Sequence, residues 1–486
     1  MSDASERDGE RSLLARVLRN SLALTAGRAG VAAARLGVAA IVVRMAGTTT
    51  FAEYALVLGL LAVAEWLLDF GTTEIAVREV CRPHAAAPPW LRAVVRSKLL
   101  LAPVAALLFV STLLVLRYPA HVWHAGLVTA LTLLPMAGVS VYRVAFKTQL
   151  HMGREMAAEL LSVLLSIPLI VWALRSGGGL TALMLCHGAS RLAFLALCGA
   201  FGRGLGAFPG RNDAPAGRED LKRLLREAAP IGMIGLLVAV YEALDILLLS
   251  KLGQPLELAW YSAAQRLVWP ALMVLTAVGG SLYPVLARRW PDEGGRFAPD
   301  CQAALESVLL LAGLSAAVAF AGAEFLLGLL GPQLVDGAAV MRVLAVLVFF
   351  KAVAATLGPV LYIVGAQTGA LLFIARALVA KALAMWLLVS HLGYLGVAVA
   401  AVLVELLFAA VPTVRLLQAR SNWRLHWRRP LRIAGVTAAS GLTACLLGGG
   451  GLVSLLLAPP LFATLAWVGG AVDRGRMAAL VAAARA

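Results

Sequence analysis

Residues 20–82 read N20-S-L-A-L-T-A-G-R-A-G-V-A-A-A-R-L-G-V-A-A-I-V-V-R-M-A-G-T-T-T-F-A-E-Y54 and, after a second apolar run, L67-L-D-F-G-T-T-E-I-A-V-R-E-V-C-R82. The two apolar runs, about Ser21–Val43 and about Tyr54–Ala76, are each near the roughly 20 residues that a helix needs to cross a bilayer. The stretch predicts a hairpin of two membrane helices. Arg28 and Arg35 are seven residues apart and Glu65 and Asp69 four apart, so each pair shares a helix face. A charge at this depth costs at least about 2.5 kcal/mol, so it must face another charge or a wet cavity. These four residues are expected to line a cavity.

Composition extends this reading to the whole chain. Of 486 residues, 61% are hydrophobic and only 14% charged, against about 25% charged in soluble domains. The fold class is therefore an all-α polytopic membrane protein. A net charge of +16 would suggest nucleic acid in a soluble chain. Here basic residues in short loops set topology instead, and no nucleic-acid partner is expected. The five cysteines form no CxxC pair, so free thiols are expected, with no metal site and no disulfide framework. The nucleotide-binding pattern G-x-x-x-x-G-K-[ST] does not occur, and no cofactor is expected.

Twelve more apolar runs follow the hairpin, from Leu91–Leu116 to Leu452–Gly470, giving about 14 transmembrane helices. With the amino terminus inside, about 30 Lys and Arg fall in inside segments and four (Arg44, Arg117, Arg175, Lys251) in outside loops. Both termini are thus expected in the cytoplasm. The polar stretch P-G-R-N-D-A-P-A-G-R-E-D, residues 209–220, reads as part of a linker. A second hairpin turn, K251-L-G-Q-P-L-E-L-A-W-Y261, echoes R44-M-A-G-T-T-T-F-A-E-Y54. The echo predicts two pseudo-symmetric six-helix lobes, residues 1–201 and 228–418, joined by a basic cytoplasmic linker, 202–227. Residues 419–486 would add two C-terminal helices and a cytoplasmic tail.

Eight basic residues lie within the apolar runs: Arg28, Arg35, Arg191, Arg266, Arg342, Lys351, Arg376 and Lys381. Six acids are counted with them: Glu65, Asp69, Glu242, Asp245, Glu324 and Glu405. In antiparallel neighbours, residues equally far from the turn share a depth, to within about 6 Å for a four-residue error. This levels Arg28 with Asp69, Arg35 with Glu65, Glu242 and Asp245 with Arg266, Glu324 with Arg342, and Lys381 with Glu405. Arg191 has no level acid on its hairpin partner, and Lys351 and Lys381 share one acid. The interior is expected to be cation-rich by about two charges. Buried unpaired cations invite an anion, and the planar fork of Arg suits phosphate. Structural pairing between helices, or a Lys351 kept neutral by burial, is the plainer alternative.

The hairpin resembles the bacterial polysaccharide flippases, the Wzx-type branch of the multidrug/oligosaccharidyl-lipid/polysaccharide exporter superfamily. The resemblance rests on N20-S21, on R44-M-A-G-T-T-T-F-A-E-Y54, and on L68-D-F-G71 followed by R78-E79. It implies two six-helix lobes around a central cavity and transfer of undecaprenyl-pyrophosphate-linked glycans from the inner to the outer leaflet of the bacterial inner membrane. It also implies cavity roles for Arg28, Asp69 and Arg266, and more loosely for Glu242 and Asp245. The depth argument alone adds Arg35, Glu65, Arg191, Lys351 and Lys381. A polysaccharide polymerase is a possible partner and no enzyme activity is expected. An ion-coupled multidrug or small-molecule antiporter is the alternative. A membrane glycan polymerase or glycosyltransferase is less consistent with outside loops of a few residues.

Overall fold

A computed structural model describes residues 2–82, 87–205, 218–291 and 295–472. The middle of the expected linker, 206–217, and the tail arginines Arg474, Arg476 and Arg485 lie outside the described residues, as do the side chains of residues 2–22. Among the described residues the chain is helical, with no strand. A chain immersed in lipid must satisfy its backbone internally, and long apolar runs do so as helices.

Two compact units emerge, Met1–Leu247 and Leu248–Ala486. In the first, α1 spans Ser2–Asp69 but is broken at Gly47, where φ is 85° and ψ 173°. A side chain disfavours that conformation, so glycine marks the break between two helical arms. If α1 were unbroken, Arg35 and Glu65 would be about 45 Å apart. They instead reach neighbouring levels of one helical hairpin, as shown below, so the arms lie side by side.

A second left-handed turn, Phe70 (φ 42°) and Gly71 (φ 73°), leads into the short α2, Thr72–Val80. A Cβ on Gly71 would stand 3.0 Å from the Gly232 nitrogen, so a later helix approaches here at backbone distance. Then come α3 (Ala87–Val115), α4 (Ala120–Ala130) with α5 (Leu133–Thr148), α6 (Met152–Arg175), α7 (Leu180–Phe201) and α8 (Arg218–Leu252). The first arm of α1 packs on α6 through small residues: a Cβ on Gly27 would sit 2.4 Å from the Met156 Cβ. Ion pairs tie α2 outward, Arg78 to Glu227 on α8 and Lys147 of α5 to Glu74.

The second unit contains α9 (Pro255–Arg288), α10 (Phe297–Ala321), α11 (Ala323–Leu330), a 3-10 turn Pro332–Gly337, and α12 (Ala338–Ile363). It continues with α13 (Gln367–Leu392), α14 (Tyr394–Val404), a π-helical segment Glu405–Ala410, α15 (Val411–Arg420), α16 (Arg428–Gly448) and α17 (Leu452–Val468). Here α12 packs between α9 and α10, and α10 also supports α16 and α17. Residues 303–330 are one continuous apolar run in the sequence but form two helices. They part at Gly322, where a Cβ would press to 2.5 Å from Leu455 on α17.

Twelve described helices are long and apolar enough to cross a membrane. The first, Ala23–Val80, holds two crossings because of its break, and Leu452–Val468 is a shorter apolar helix. The total of 14 agrees with the sequence. The echoed turns also match in burial: Tyr54 and Tyr261, which end the two echoed stretches, are both buried.

Candidate functional site

The L-D-F-G turn at the end of α1 has a local cause. Asp69 ends the helix, and its carboxylate accepts from Lys98 Nζ of α3 at 2.7 Å and from the Thr73 hydroxyl. Lys98 also donates to Thr72 Oγ1 at 2.9 Å and to the carbonyls of Leu68 and Asp69, both at 3.3 Å. A cation thus satisfies carbonyls that the broken helix leaves free. The Lys98 side chain is only 2% exposed. Asp69 is therefore paired with Lys98, not with Arg28. Lys98 lies inside the run Leu91–Leu116, but its neighbours Arg92 and Arg96 make it read as loop charge in the sequence.

Higher in the same unit, Arg35 Nη2 meets Glu159 Oε1 of α6 at 2.5 Å. Glu65 accepts from Arg191 Nη2 of α7 at 2.8 Å, and Arg191 Nε donates to His187 Nε2 at 3.3 Å. The Ser190 hydroxyl donates to the Ser162 carbonyl at 3.0 Å, which sets Glu159 and Arg191 at nearly one depth on α6 and α7. Arg35 and Glu65 are therefore level, but they do not pair with each other. Distance from a turn fixes depth and leaves the direction around the helix axis open. Residues 157–174 are another of the twelve later apolar runs, and Glu159 within it is missing from the sequence count of buried acids. One turn earlier on α6, the nearly buried Glu155 pairs with Arg143 Nε of α5 at 2.6 Å.

What remains exposed on the first arm of α1 is unusual for a membrane helix. Its exposed positions include Thr25, Ala26, Arg28, Ala29, Ala33 and Arg35, and no Leu, Val or Ile from 23 to 43 is exposed. The Arg35 side chain is 52% exposed despite its partner. Arg28 is exposed and makes no ion pair among the described residues. On α3 the exposed face is instead Leu99, Leu100, Val104, Leu107 and Leu108. A leucine face suits lipid. A face of small residues and guanidinium groups suits water, because a lipid-facing Arg is costly.

In the second unit Glu324 meets Arg342 at 2.8 Å, the pairing its depth implied. Lys351 Nζ lies 3.6 Å from Glu405 Oε2, at the start of the π-helical segment. Lys381 is buried on α13, and Arg376 on the same helix is exposed. Glu242 is half-buried and Asp245 buried on α8 in the first unit; Arg266 is half-buried on α9 in the second. The expected cation surplus at Arg191 and Lys351 is corrected, since both have carboxylate partners. Of the eight basic residues of the apolar runs, Arg28, Arg35 and Arg376 are exposed, and only Arg28 and Arg35 share a helix.

A polytopic helical membrane protein with an exposed helix face of small and cationic side chains is the class these features define. The chain belongs to the polysaccharide biosynthesis protein family, whose model matches residues 17–290. Among solved structures it is similar to the lipid II flippase MurJ in an inward closed conformation. That TM-score is 0.72 at 10% identity, over 92% of this chain and 98% of that one. It is also similar to an inward-facing multidrug resistance MATE family transporter of the MOP superfamily, with a TM-score of 0.62 at 16% identity, over 79% of this chain and 94% of that one. It is similar as well to a MOP superfamily transporter from Pyrococcus furiosus described as having a binding pocket of reverse polarity, with a TM-score of 0.55 at 16% identity, over 82% of this chain and 95% of that one. At such identities the likeness is one of fold. No curated protein matches the sequence. By family the chain is a polysaccharide biosynthesis protein, and its fold, that of a multi-pass membrane protein, is shared with these flippase and transporter structures.

Proposed function

We propose that the protein is a flippase that moves a polyprenyl-pyrophosphate-linked oligosaccharide from the inner to the outer leaflet of the bacterial cytoplasmic membrane, by alternating access, for cell-surface polysaccharide synthesis. The observation that carries this is the exposed Arg28 and Arg35 on a helix face without large apolar side chains. Such a face replaces the hydration of a polar head while the prenyl tail stays in lipid. Guanidinium forks pair with phosphate oxygens. Arg28 and Arg35 are the first contacts of the diphosphate. Arg266, Lys351, Lys381 and Arg191 are further cations of the route, and Glu65, Glu242 and Asp245 offset their charge. Asp69 belongs to the helix-end knot.

Membrane voltage favours this direction. With the inside negative, moving each negative charge outward gains about 2.3 kcal/mol per 100 mV. The orientation with both termini inside, the division into lobes 1–201 and 228–418 with the linker 202–227 and appended residues 419–486, and contact with polysaccharide polymerase machinery are parts of the same proposal.

Depleting the protein tests it. Lipid-linked glycan should accumulate in the inner leaflet, and purified protein in liposomes should restore its exposure outside. An unchanged inner pool on depletion defeats the proposal. An antiporter for cationic drugs shares the fold, but it needs exposed carboxylates. Here Glu159 is 16% exposed where its partner Arg35 is 52% exposed.

A further inference from the structure

The two ion pairs at the level of Arg35 are unequal. Arg191 is engaged on two sides, by Glu65 through Nη2 and by His187 through Nε, and its side chain is 12% exposed. Arg35 has a single contact, through Nη2 to one oxygen of Glu159. The rest of its guanidinium is open, on the face that also carries Arg28. The carboxylate is held on its own side: Glu159 belongs to α6, which packs on α1 at Gly27 and Gly30. In chemical terms, Glu159 presents to Arg35 the same kind of anionic oxygen that a phosphate would.

We propose that Glu159 is an internal competitor for the anionic group at Arg35: it holds the guanidinium when the face is empty and yields it to a diphosphate. This rests on the reading of Arg28 and Arg35 as the diphosphate contacts. Glu159 acts through Arg35 and is a positioning residue. The exchange is purely ionic, one carboxylate oxygen leaving Nη2 as phosphate oxygens arrive. Its expected size is modest, because a half-exposed pair contributes little and is readily displaced.

Binding of inorganic pyrophosphate to the purified full-length protein in detergent reads this directly. Glu159→Gln and Glu159→Ala should each tighten binding, by about two- to fivefold. Glu159→Asp should bind like the parent. Glu155→Gln removes a carboxylate one turn away that is committed to Arg143, so it changes the local field without freeing Arg35. It should leave the affinity unchanged. Arg35→Ala combined with Glu159→Gln should lose the gain.

A damaged fold does not produce tighter binding, so the gain is a readout that a merely structural role would not give. Unchanged or weaker binding in both Glu159 variants, or equal tightening in Glu155→Gln, overturns the proposal. The flippase reading fails separately. If Glu159→Gln tightens pyrophosphate but the parent protein moves no lipid-linked glycan in liposomes, the competitor stands and the transport assignment falls. If glycan moves and Glu159→Gln changes nothing, the reverse holds.

Discussion

The two arms of α1 carry charge at membrane depth in opposite ways. At the end of the second arm, Asp69 is closed into a knot with Thr73 and Lys98, and the lysine is 2% exposed. On the first arm, Arg35 is held by one contact and is 52% exposed, and Arg28 is exposed with no ion pair among the described residues. The first arrangement fixes a backbone turn. The second leaves donors exposed. Ion pairs of similar length can therefore serve the fold or stay available to a ligand, and exposure separates the two.

The widest separation should appear in stability. Lys98→Met strands the Asp69 carboxylate among carbonyls, and breaking a buried pair costs about 3–5 kcal/mol. Its thermal midpoint in detergent should fall well below the parent's. Arg28→Ala, by contrast, should stay within about 0.5 kcal/mol. Similar losses in the two variants would remove the distinction between a knot and an open face.

A charge placed on purpose sharpens the contrast between water and lipid. Leu107→Arg puts a guanidinium on the leucine face of α3 and should cost about 2.5–3.5 kcal/mol of insertion, read as lost monodisperse protein. Ala33→Arg adds one on the exposed small-residue surface of the first arm of α1 and should insert normally. In a background without the five cysteines, a cysteine at position 33 should react with a membrane-impermeant maleimide. One at position 107 should not. Labelling of both, or loss of both arginine variants, would make the α1 face an ordinary lipid face.

Transport should respond less in free energy but visibly in rate. Arg28→Ala and Arg35→Ala should each lower glycan flipping in liposomes at least tenfold, about 1.4 kcal/mol, with normal yield. Parent-like rates in both would separate the exposed face from transport.

Much of this was legible in the chain. The hairpin and the helix count follow from run length, and Gly47 is where the expected turn lies. Depth was legible too: Glu324 does meet Arg342, and Arg35 is level with Glu65. What depth cannot give is the side of the helix a residue faces. Arg35 and Glu65 therefore found α6 and α7 rather than each other. Lys98 looks like loop charge because it follows Arg92 and Arg96, yet it is the most deeply placed of the three in its apolar run. The signal for Glu159 was present, a carboxylate inside a run that can be leveled against Arg191. Which helices meet around α1 is a tertiary fact, and a period of 3.6 residues does not contain it.

The smallest effect tests whether exposure is the right criterion. Glu324 and Arg342 meet at 2.8 Å with side chains 37% and 27% exposed. Arg342 also has the Cys445 sulfur at 3.6 Å, and its guanidinium carbon lies 5.9 Å from the Phe320 ring centre. Glutamine keeps the shape of the glutamate, which matters because the backbone at Gly450 runs close against that carboxyl. Only the charge is lost in Glu324→Gln. A part-exposed pair contributes up to about 1 kcal/mol, so the thermal midpoint should move by no more than a few degrees. A loss approaching that of Lys98→Met would mean that half-open pairs also hold this fold together. Arg35 and Glu159 would then be bound by the same rule, and the exposed guanidinium could not be treated as free to change partners.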